Sequence, residues 1–252
     1  MKNNLSQQMI IKIESINQKF ESIMKNFNNS WQSVAGEKLK KEQDTKRYFH
    51  PNNGFGQYKK TAIDILKETT TILQELEINY CLISGTLLGQ VRHNDFIPWD
   101  DDIDLLVDDS IFDKIQDFVN KCDKLNVLMR EKKNIVKVCS MNGMEIPENK
   151  IVSGWKEHGL REKKYCWPFI DLFTYTQKDD RLFFFDKEWD TNEFFPLKKI
   201  NFLGIETFVP KNPDYFLKRN FGPNYMTEMK SSHYCHKVES NYRETRIVYV
   251  NN

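Results

Sequence analysis

Two short apolar segments with a charged stretch between them constrain the fold of this chain more than any other feature. Residues 79–84 read NYCLIS and residues 103–107 read IDLLV, and each has the length of a buried strand. Between them lies TLLGQVR, which has a helical period, and six aspartates occupy the ten positions from Asp100 to Asp109. An unpaired carboxylate is costly to desolvate, so acids at the mouth of a buried strand indicate a cation. The sequence therefore predicts a strand, a helix and a second strand that begins at a charged site.

Composition limits the classes of protein that can carry such a site. The chain has 252 residues, of which 39% are hydrophobic and 13% aromatic, enough for one large domain or two closely joined ones. A net charge of +1 argues against a broad basic surface, so we expect no nucleic-acid partner. The five cysteines are scattered singly, which favours neither a disulfide framework nor a zinc ribbon and suits a reducing compartment. The sequence has no apolar run near the ~18 residues of a membrane span and no signal-peptide core, so we expect a cytoplasmic protein with no membrane span. The sequence does not indicate an oligomeric state.

Hydrophobic spacing divides the chain into three parts. Apolar residues at steps of three and four from Met9 to Phe27 predict an amphipathic helix, and residues 28–57 form a connection. A second helix is expected around residues 62–76, and further strands at LNVLM, IVKVC and WPFIDLFTY. We also expect a hairpin turning at Gly204, followed by a helix capped by Asn212, opened by Pro213 and stopped by Gly222. This mixture indicates an α/β or α+β fold.

The spacing of the acids indicates phosphate chemistry. Side chains alternate along a strand, so Asp102 and Asp104 point to one side and can share a hard cation such as Mg²⁺. The predicted helix begins at Gly85 and Thr86, where free N–H groups and the positive dipole end suit phosphate oxygens. The alternative is a solvated acidic loop leading into a strand.

Three sequence blocks carry a family resemblance. GTLLGQVRHNDFIPWDDDIDLLV (85–107) closely resembles the signature of the LicD and fukutin-related phosphotransferases, and WPFIDLFTY (167–175) and FLGIETFVPKNPDYFLKRNFG (202–222) resemble their later blocks. The resemblance implies a polymerase-β-like nucleotidyltransferase core, with a mixed sheet flanked by helices. It divides the chain into an N-terminal helix and connection (1–57), a catalytic domain (58–225) and a tail packed on that domain (226–252).

The same resemblance implies an activity and a set of site residues. The expected reaction moves a substituted phosphate, such as phosphocholine or a polyol phosphate, from a CDP-linked donor to a sugar hydroxyl of a glycan or glycoconjugate and releases CMP. Mg²⁺ or Mn²⁺ is the implied cofactor. The implied catalytic and metal-binding residues are Asp102, Asp104 and Asp171, and the implied donor-binding residues are Gly85, Thr86, Arg92, His93 and Trp99. Asp171 also stands out without the resemblance, because it shares a strand face with Phe169 and Phe173 and needs a partner there. As the third carboxylate that the resemblance implies, we expect it to be the general base; the alternatives are a metal ligand only and a buried Asp held by backbone donors.

Several side chains near the signature allow a plainer interpretation. Arg92 could neutralise a pyrophosphate or form a surface salt bridge, and His93 is expected to order or cap its loop. Trp99 could stack on a base, although an aromatic beside Pro98 is more typical of a packed loop anchor. Asp100 and Asp101 could raise the negative potential, hold water around a metal, or be solvated.

Two other groups of residues have ordinary explanations as well. Three potential zinc ligands, His233, Cys235 and His236, lie within four residues, but no second cluster has matching spacing, so we expect a surface turn. A set of aromatic residues could form a platform for a sugar ring, but we favour core or hairpin packing for them: Phe183, Phe184, Phe185, Trp189, Phe194 and Phe195.

Two alternatives to the phosphotransferase remain open. A true nucleotidyltransferase on the same fold would leave the nucleoside monophosphate on its acceptor, and it would need the same metal pair. A catalytically silent binding module could keep the scaffold. The presence of the Gly85-Thr86 turn together with Asp102, Asp104 and Asp171 argues against a silent module.

Overall fold

The computed structural model describes residues 47–130, 134–147, 156–158, 165–231, 234–241 and 247–249. The amphipathic helix that the sequence predicts from Met9 to Phe27 lies outside these residues. The five α-helices of the described part are α1 (Lys59–Glu75), α2 (Ser84–His93), α3 (Ile115–Lys121), α4 (Thr191–Phe194) and α5 (Pro213–Phe221). Short 3₁₀ helices span Pro51–Asn53, Gly56–Tyr58 and Asp109–Ile111.

Fourteen strands accompany these helices in the described residues. The first eight are β1 (Tyr80–Leu82), β2 (Ile103–Asp108), β3 (Leu125–Arg130), β4 (Ile135–Glu145), β5 (Lys156–His158), β6 (Cys166–Lys178), β7 (Arg181–Phe184) and β8 (Lys187–Asp190). The remaining six are β9 (Lys198–Phe202), β10 (Ile205–Val209), β11 (Glu228–Lys230), β12 (Tyr234–Cys235), β13 (Ser240–Asn241) and β14 (Ile247–Tyr249).

One mixed sheet forms the centre of the molecule. Its strand order is β1-β2-β6-β4-β3-β5, with β7 and β8 continuing from the end of β6. Strands β2 and β6 run parallel, whereas β1–β2, β4–β6, β3–β4 and β3–β5 are antiparallel pairs. Helix α1 packs across β4 and β6, and α2 packs on β2. The mixed α/β architecture with flanking helices that the sequence predicts is therefore confirmed.

The parallel pair fixes the position of the acids. In the β2–β6 register Asp104 lies opposite Asp171, and in the β4–β6 register Lys137 lies opposite Asp171. Three charged side chains are thus placed side by side in buried stretches of three adjacent strands. Only pairing between segments that are distant in sequence brings them together.

Local signals account for most of the remaining elements. Helix α1 buries the face that its spacing predicts, which includes Ala62, Ile65, Leu66 and Leu73. The hairpin of β9 and β10 turns at Gly204, whose φ is +82°. At α5 the side chain of Asn212 accepts a hydrogen bond from the Tyr215 N–H, Pro213 opens the helix and Gly222 ends it with φ +92°.

The aromatic-rich stretch after β6 packs inside the protein. Phe184, Trp189 and Phe194 are each at most 6% exposed, and all three contact Phe216 of α5 with ring centroids 5.0–6.2 Å apart. Such ring pairs add stability beyond the area that they bury. Core packing is confirmed for these three residues, which leaves them no face for a sugar.

No helix in the described ranges is long and apolar enough to cross a membrane.

Candidate active site

Three carboxylates converge where the pairing between β2 and β6 begins. Asp102 comes directly before β2, Asp104 lies within it, and Asp171 faces them from β6. One carboxylate oxygen from each lies within 4.8 Å of the others. Asp104 is 9% exposed and Asp171 6%, so little water reaches their charges. A buried, all-oxygen set of this kind could hold a hard divalent cation.

Helix α2 closes one side of this site. The Thr86 hydroxyl accepts a hydrogen bond of 2.8 Å from the Asp104 N–H, which joins the first turn of α2 to the start of β2. The N-cap residue of α2 is Ile83, whose side chain cannot accept a hydrogen bond. The N–H groups of the first turn are therefore not bonded to a capping side chain. The helix N-terminus that the sequence predicts at Gly85 and Thr86 is therefore present beside the carboxylates. It offers backbone donors and a positive dipole end to an anion.

Gly85 has a steric reason to lack a side chain. A Cβ at this position would overlap the carboxylate of Asp100. The absence of a side chain at Gly85 lets Asp100 lie against the first turn of α2. Asp100 is therefore not an ordinary solvated loop residue.

The acids destabilise one another's charged forms. Burial, followed by repulsion from Asp102 and Asp101, raises the pKa of Asp100 well above its usual range. Burial and repulsion from Asp102 and Asp171 do the same for Asp104. A divalent cation between these oxygens would remove that repulsion, and the donor set therefore fits Mg²⁺ or Mn²⁺.

Lys137 is a site residue that the sequence analysis missed. It is 3% exposed on β4, with its Nζ 2.7 Å from Asp171 Oδ1 and 3.2 Å from the centroid of the Phe169 ring. Burial raises the pKa of Asp171, and Lys137 opposes this shift by favouring the carboxylate. The available signal was a single lysine in the apolar segment IVKVC. A buried lysine in such a strand requires a charged partner.

The turn after β12 contacts the aspartates. The Nε2 atom of His236 lies 3.1 Å from Asp102 Oδ2, and its backbone N–H donates to Asp101 Oδ2 at 3.1 Å. Cys235 Sγ lies 3.5 Å from the same oxygen of Asp101 and is buried. The expectation of an ordinary surface turn at His233, Cys235 and His236 is therefore wrong for Cys235 and His236. His233 lies outside the described residues.

Asp101 differs from both of its acidic neighbours. It is 1% exposed, and besides receiving the His236 N–H on its side chain, it accepts a hydrogen bond from Trp167 Nε1 on its backbone carbonyl. The solvated alternative for Asp101 is thus wrong. Its carboxylate joins the signature segment to the C-terminal turn.

Arg92, His93 and Trp99 face the C-terminal segment. Arg92 Nη1 donates to the carbonyls of Tyr225 and Glu228, each at 2.8 Å, and its Nε donates to His93 Nε2. Burial and the adjacent guanidinium lower the pKa of His93 to about 3, so its neutral ring can accept. The alternative of a surface salt bridge for Arg92 is therefore wrong, and His93 is joined to this contact through the Arg92 side chain.

Trp99 contacts the same C-terminal segment as Arg92. Its Nε1 donates to the carbonyl of Lys230 at 3.1 Å, and its ring, 5% exposed, meets those of Phe49 and His93 edge to face. A ring this deeply buried has little face left for a base. The packed-anchor interpretation fits this position better than base stacking.

Comparison with known proteins relates this site to one family. Residues 77–212, a little over half of the chain, match the family described as LicD/FKTN/FKRP, nucleotidyltransferase domain. An uncharacterised protein of Rickettsia typhi is 30% identical over 159 residues, which are 62% of this chain and 44% of that protein. Lipopolysaccharide cholinephosphotransferase LicD of Haemophilus influenzae is 46% identical over 44 residues, 18% of this chain and 17% of that protein.

A mammalian relative matches over a longer stretch. Human ribitol 5-phosphate transferase FKRP is 28% identical over 153 residues, 60% of this chain and 29% of that protein. The chain spans about half the length of the first curated relatives that it matches. The matched region 77–212 contains α2, the three carboxylates and Lys137, whereas His236 lies beyond it.

Proposed function

The chain belongs to the LicD/FKTN/FKRP nucleotidyltransferase-domain family, and on this premise we propose that it transfers a substituted phosphate from a CDP-linked donor to a sugar hydroxyl of a glycan or glycoconjugate, releasing CMP. The observation that carries the proposal is the buried group of Asp102, Asp104 and Asp171 beside the N-terminus of α2. Two relatives support the class of reaction, since their names describe cholinephosphate and ribitol 5-phosphate transfer.

The carboxylates and the helix take complementary roles in this proposal. Asp102, Asp104 and Asp171 would hold Mg²⁺ or Mn²⁺, which when bound supplies positive charge to the phosphate oxygens of the donor. The first turn of α2, at Gly85 and Thr86, binds the remaining oxygens through backbone N–H groups. Together they place the phosphorus for attack and favour departure of CMP.

Asp171 is proposed to receive the acceptor's proton. The sugar oxygen forms a bond to the donor phosphorus, the bond from phosphorus to the CMP oxygen breaks, and the hydroxyl proton passes to a carboxylate oxygen. Asp171 Oδ1 is paired with Lys137, so Oδ2 is the oxygen that remains for the proton or the cation. Lys137 in this account keeps Asp171 ionised and fixed.

Arg92, His93 and Trp99 are proposed to act on the donor through the segment that they hold. All three contact one another or the backbone carbonyls between Tyr225 and Lys230. We expect their replacement to affect donor binding by displacing that segment. A direct contact of Arg92 with the pyrophosphate would require it to leave two carbonyls.

A donor panel tests the proposal. The protein is incubated with Mg²⁺ or Mn²⁺, candidate sugar acceptors and CDP-choline, CDP-ribitol, CDP-glycerol or ordinary nucleoside triphosphates, and CMP and pyrophosphate are measured separately. We expect metal-dependent CMP release from at least one CDP-linked donor. Pyrophosphate release with a nucleotidylated acceptor would identify a nucleotidyltransferase instead, and no turnover across a complete panel would favour a silent module.

Asp171→Asn separates the two roles given to this residue. If Asp171 is the base and Asp102 and Asp104 are enough to retain the cation, metal-dependent donor binding persists while turnover falls by roughly 10²–10⁴-fold, the usual contribution of a general base. If it is only a metal ligand, binding and turnover are lost together. A purely structural Asp171 would lower thermal stability and leave activity proportional to the folded fraction.

A further inference from the structure

Two metal-site carboxylates each have one oxygen held by a basic side chain from outside the cluster. Lys137 holds Oδ1 of Asp171 at 2.7 Å, and His236 holds Oδ2 of Asp102 at 3.1 Å. Each contact involves only one oxygen of its carboxylate. Close contacts between a basic group and one carboxylate oxygen favour a fixed orientation of the carboxylate before a metal arrives.

The His236 ring is itself fixed from several directions. Its Nδ1 lies 3.5 Å from Glu239 Oε1, and the other carboxylate oxygen of Glu239 accepts a hydrogen bond from the Tyr234 hydroxyl at 3.2 Å. The rings of Tyr234 and Phe169 meet the imidazole edge to face at 4.9 Å and 5.3 Å. The backbone of His236 is tied to Asp101. With Nδ1 turned towards Glu239, only Nε2 faces the site.

The turn that carries His236 is attached to the catalytic core on both sides. Before it, Trp99 donates to the carbonyl of Lys230. After His236, the Nζ of Lys237 donates to the carbonyls of Asn52 and Gly54 and lies 4.9 Å from the Trp167 ring centroid. The segment is therefore built onto the site, although it lies beyond the region 77–212 that matches the family.

We propose that His236 is a positioning residue for the metal-binding carboxylate of Asp102, with Glu239 setting the orientation of its ring. The Nε2–H group donates to Asp102 Oδ2 and turns Oδ1 towards the cation, as Lys137 does from the other side for Asp171. The C-terminal turn is then a component of the metal site. This inference rests on the proposed function only in assigning a divalent cation to Asp102.

Metal binding tests the proposal without turnover. The dissociation constant for Mn²⁺ is measured by titration calorimetry on the full chain and on His236→Ala, His236→Gln and Glu239→Gln. We expect His236→Ala to weaken Mn²⁺ binding by about 10- to 100-fold, the usual effect of losing a group that orients a ligand. His236→Gln keeps an N–H donor near the Nε2 position and is expected to retain most of the affinity, while Glu239→Gln gives a smaller loss than His236→Ala.

His50→Asn is the matched control. His50 is an exposed histidine whose ring accepts only the Asn52 N–H in the described contacts, and asparagine can keep that cap. It should bind Mn²⁺ like the natural protein. If His236→Ala fails to fold, the comparison of His236→Gln and Glu239→Gln with the natural protein carries the test, and a loss in Glu239→Gln larger than in His236→Gln supports the proposal.

Two results would overturn the inference. Unchanged Mn²⁺ affinity in His236→Ala would show that Asp102 needs no help from the imidazole. Equal losses in His236→Gln and His236→Ala would assign His236 as a direct ligand rather than a positioning residue. CMP release is followed in the same samples: normal metal binding with no turnover of any donor would reject the proposed function alone, whereas no Mn²⁺ binding by the natural protein would reject both.

Discussion

At the scale of single residues, two basic side chains, Lys137 and His236, contact the carboxylates of Asp171 and Asp102. Asp102, Asp104 and Asp171 could be selected because carboxylates in apolar strands are costly unless they have a function. Lys137 and His236 could not be paired with them from the sequence. Lys137 lies beside Asp171 because of the register between β4 and β6, and His236 contacts Asp102 from a turn more than a hundred residues later in the chain. Spacing along the chain carries no information about such contacts.

Asp104 provides a pH-dependent prediction at this scale. Its folded-state pKa is raised by burial and by Asp102 and Asp171, so the folded state binds its proton more tightly than the unfolded state does. The contribution of this group to stability is therefore fully present below the unfolded pKa, about 3.9, and is lost as the pH rises towards the folded pKa. Asp104→Asn removes that loss.

Thermal unfolding in the presence of a chelator measures this effect. The melting temperature of Asp104→Asn should nearly equal that of the natural protein at pH 4, should exceed it increasingly as the pH rises, and the difference should level off above the folded pKa; each kcal/mol corresponds to about 2–4 °C in a chain of this size. Addition of Mn²⁺ should stabilise the natural protein and not the variant. A difference that shrinks with rising pH would mean that Asp104 is stabilised as a carboxylate by groups of the protein itself.

At the scale of elements, local patterns predicted α1, α2, β1, β2, the β9–β10 hairpin and the caps of α5. These elements are set by hydrophobic period, by Gly204 and by Asn212, all of which are local signals. The β7–β8 hairpin and the extension of β4 to Glu145 were not predicted, because pairing with β6 and β7 stabilises them more than their own residues indicate.

The pairing of β4 with β6 leads to a stability prediction. Lys137→Met keeps much of the lysine's bulk but leaves Asp171 as a buried, unpaired carboxylate, so we expect a loss of about 3–5 kcal/mol in the free energy of unfolding. The double variant Lys137→Met/Asp171→Asn should recover most of that loss. Urea unfolding of the natural protein, Lys137→Met, Asp171→Asn and the double variant gives the coupling free energy between the two residues.

An exposed pair supplies the matched control for that cycle. Lys199 lies 2.7 Å from Glu206, the same distance as in the Lys137–Asp171 pair, but both side chains are more than half exposed. Lys199→Met should cost only about 0–1 kcal/mol. If Lys137→Met cost no more than Lys199→Met, the buried pair would not be needed to compensate the charge of Asp171.

At the scale of the whole molecule, several hydrogen bonds join the C-terminal segment to the family core. Arg92 forms two of them, since one guanidinium nitrogen donates to the carbonyls of Tyr225 and Glu228. Arg92→Gln should therefore increase hydrogen exchange in residues 225–241 and leave β2 and β6 protected. Mn²⁺ affinity should fall with it, because His236 depends on that segment.

Arg219→Gln is the control for this exchange experiment. Arg219 also donates to a backbone carbonyl, that of Glu188, at 2.8 Å, but its contact is exposed and lies on α5. Its replacement should leave exchange in residues 225–241 unchanged. Equal protection of that segment in Arg92→Gln and the natural protein would show that Arg92 does not hold it in place.

We propose that Asp102, Asp104 and Asp171 together hold the catalytic cation, and the position of that cation can be measured directly. Crystals of the full chain are grown or soaked with Mn²⁺ and a CDP-linked donor, and anomalous scattering locates the manganese. The account predicts a peak within coordination distance of an oxygen from each of the three carboxylates, with donor phosphate oxygens between it and the first turn of α2. Manganese bound elsewhere, with these three carboxylates uncoordinated, would contradict it.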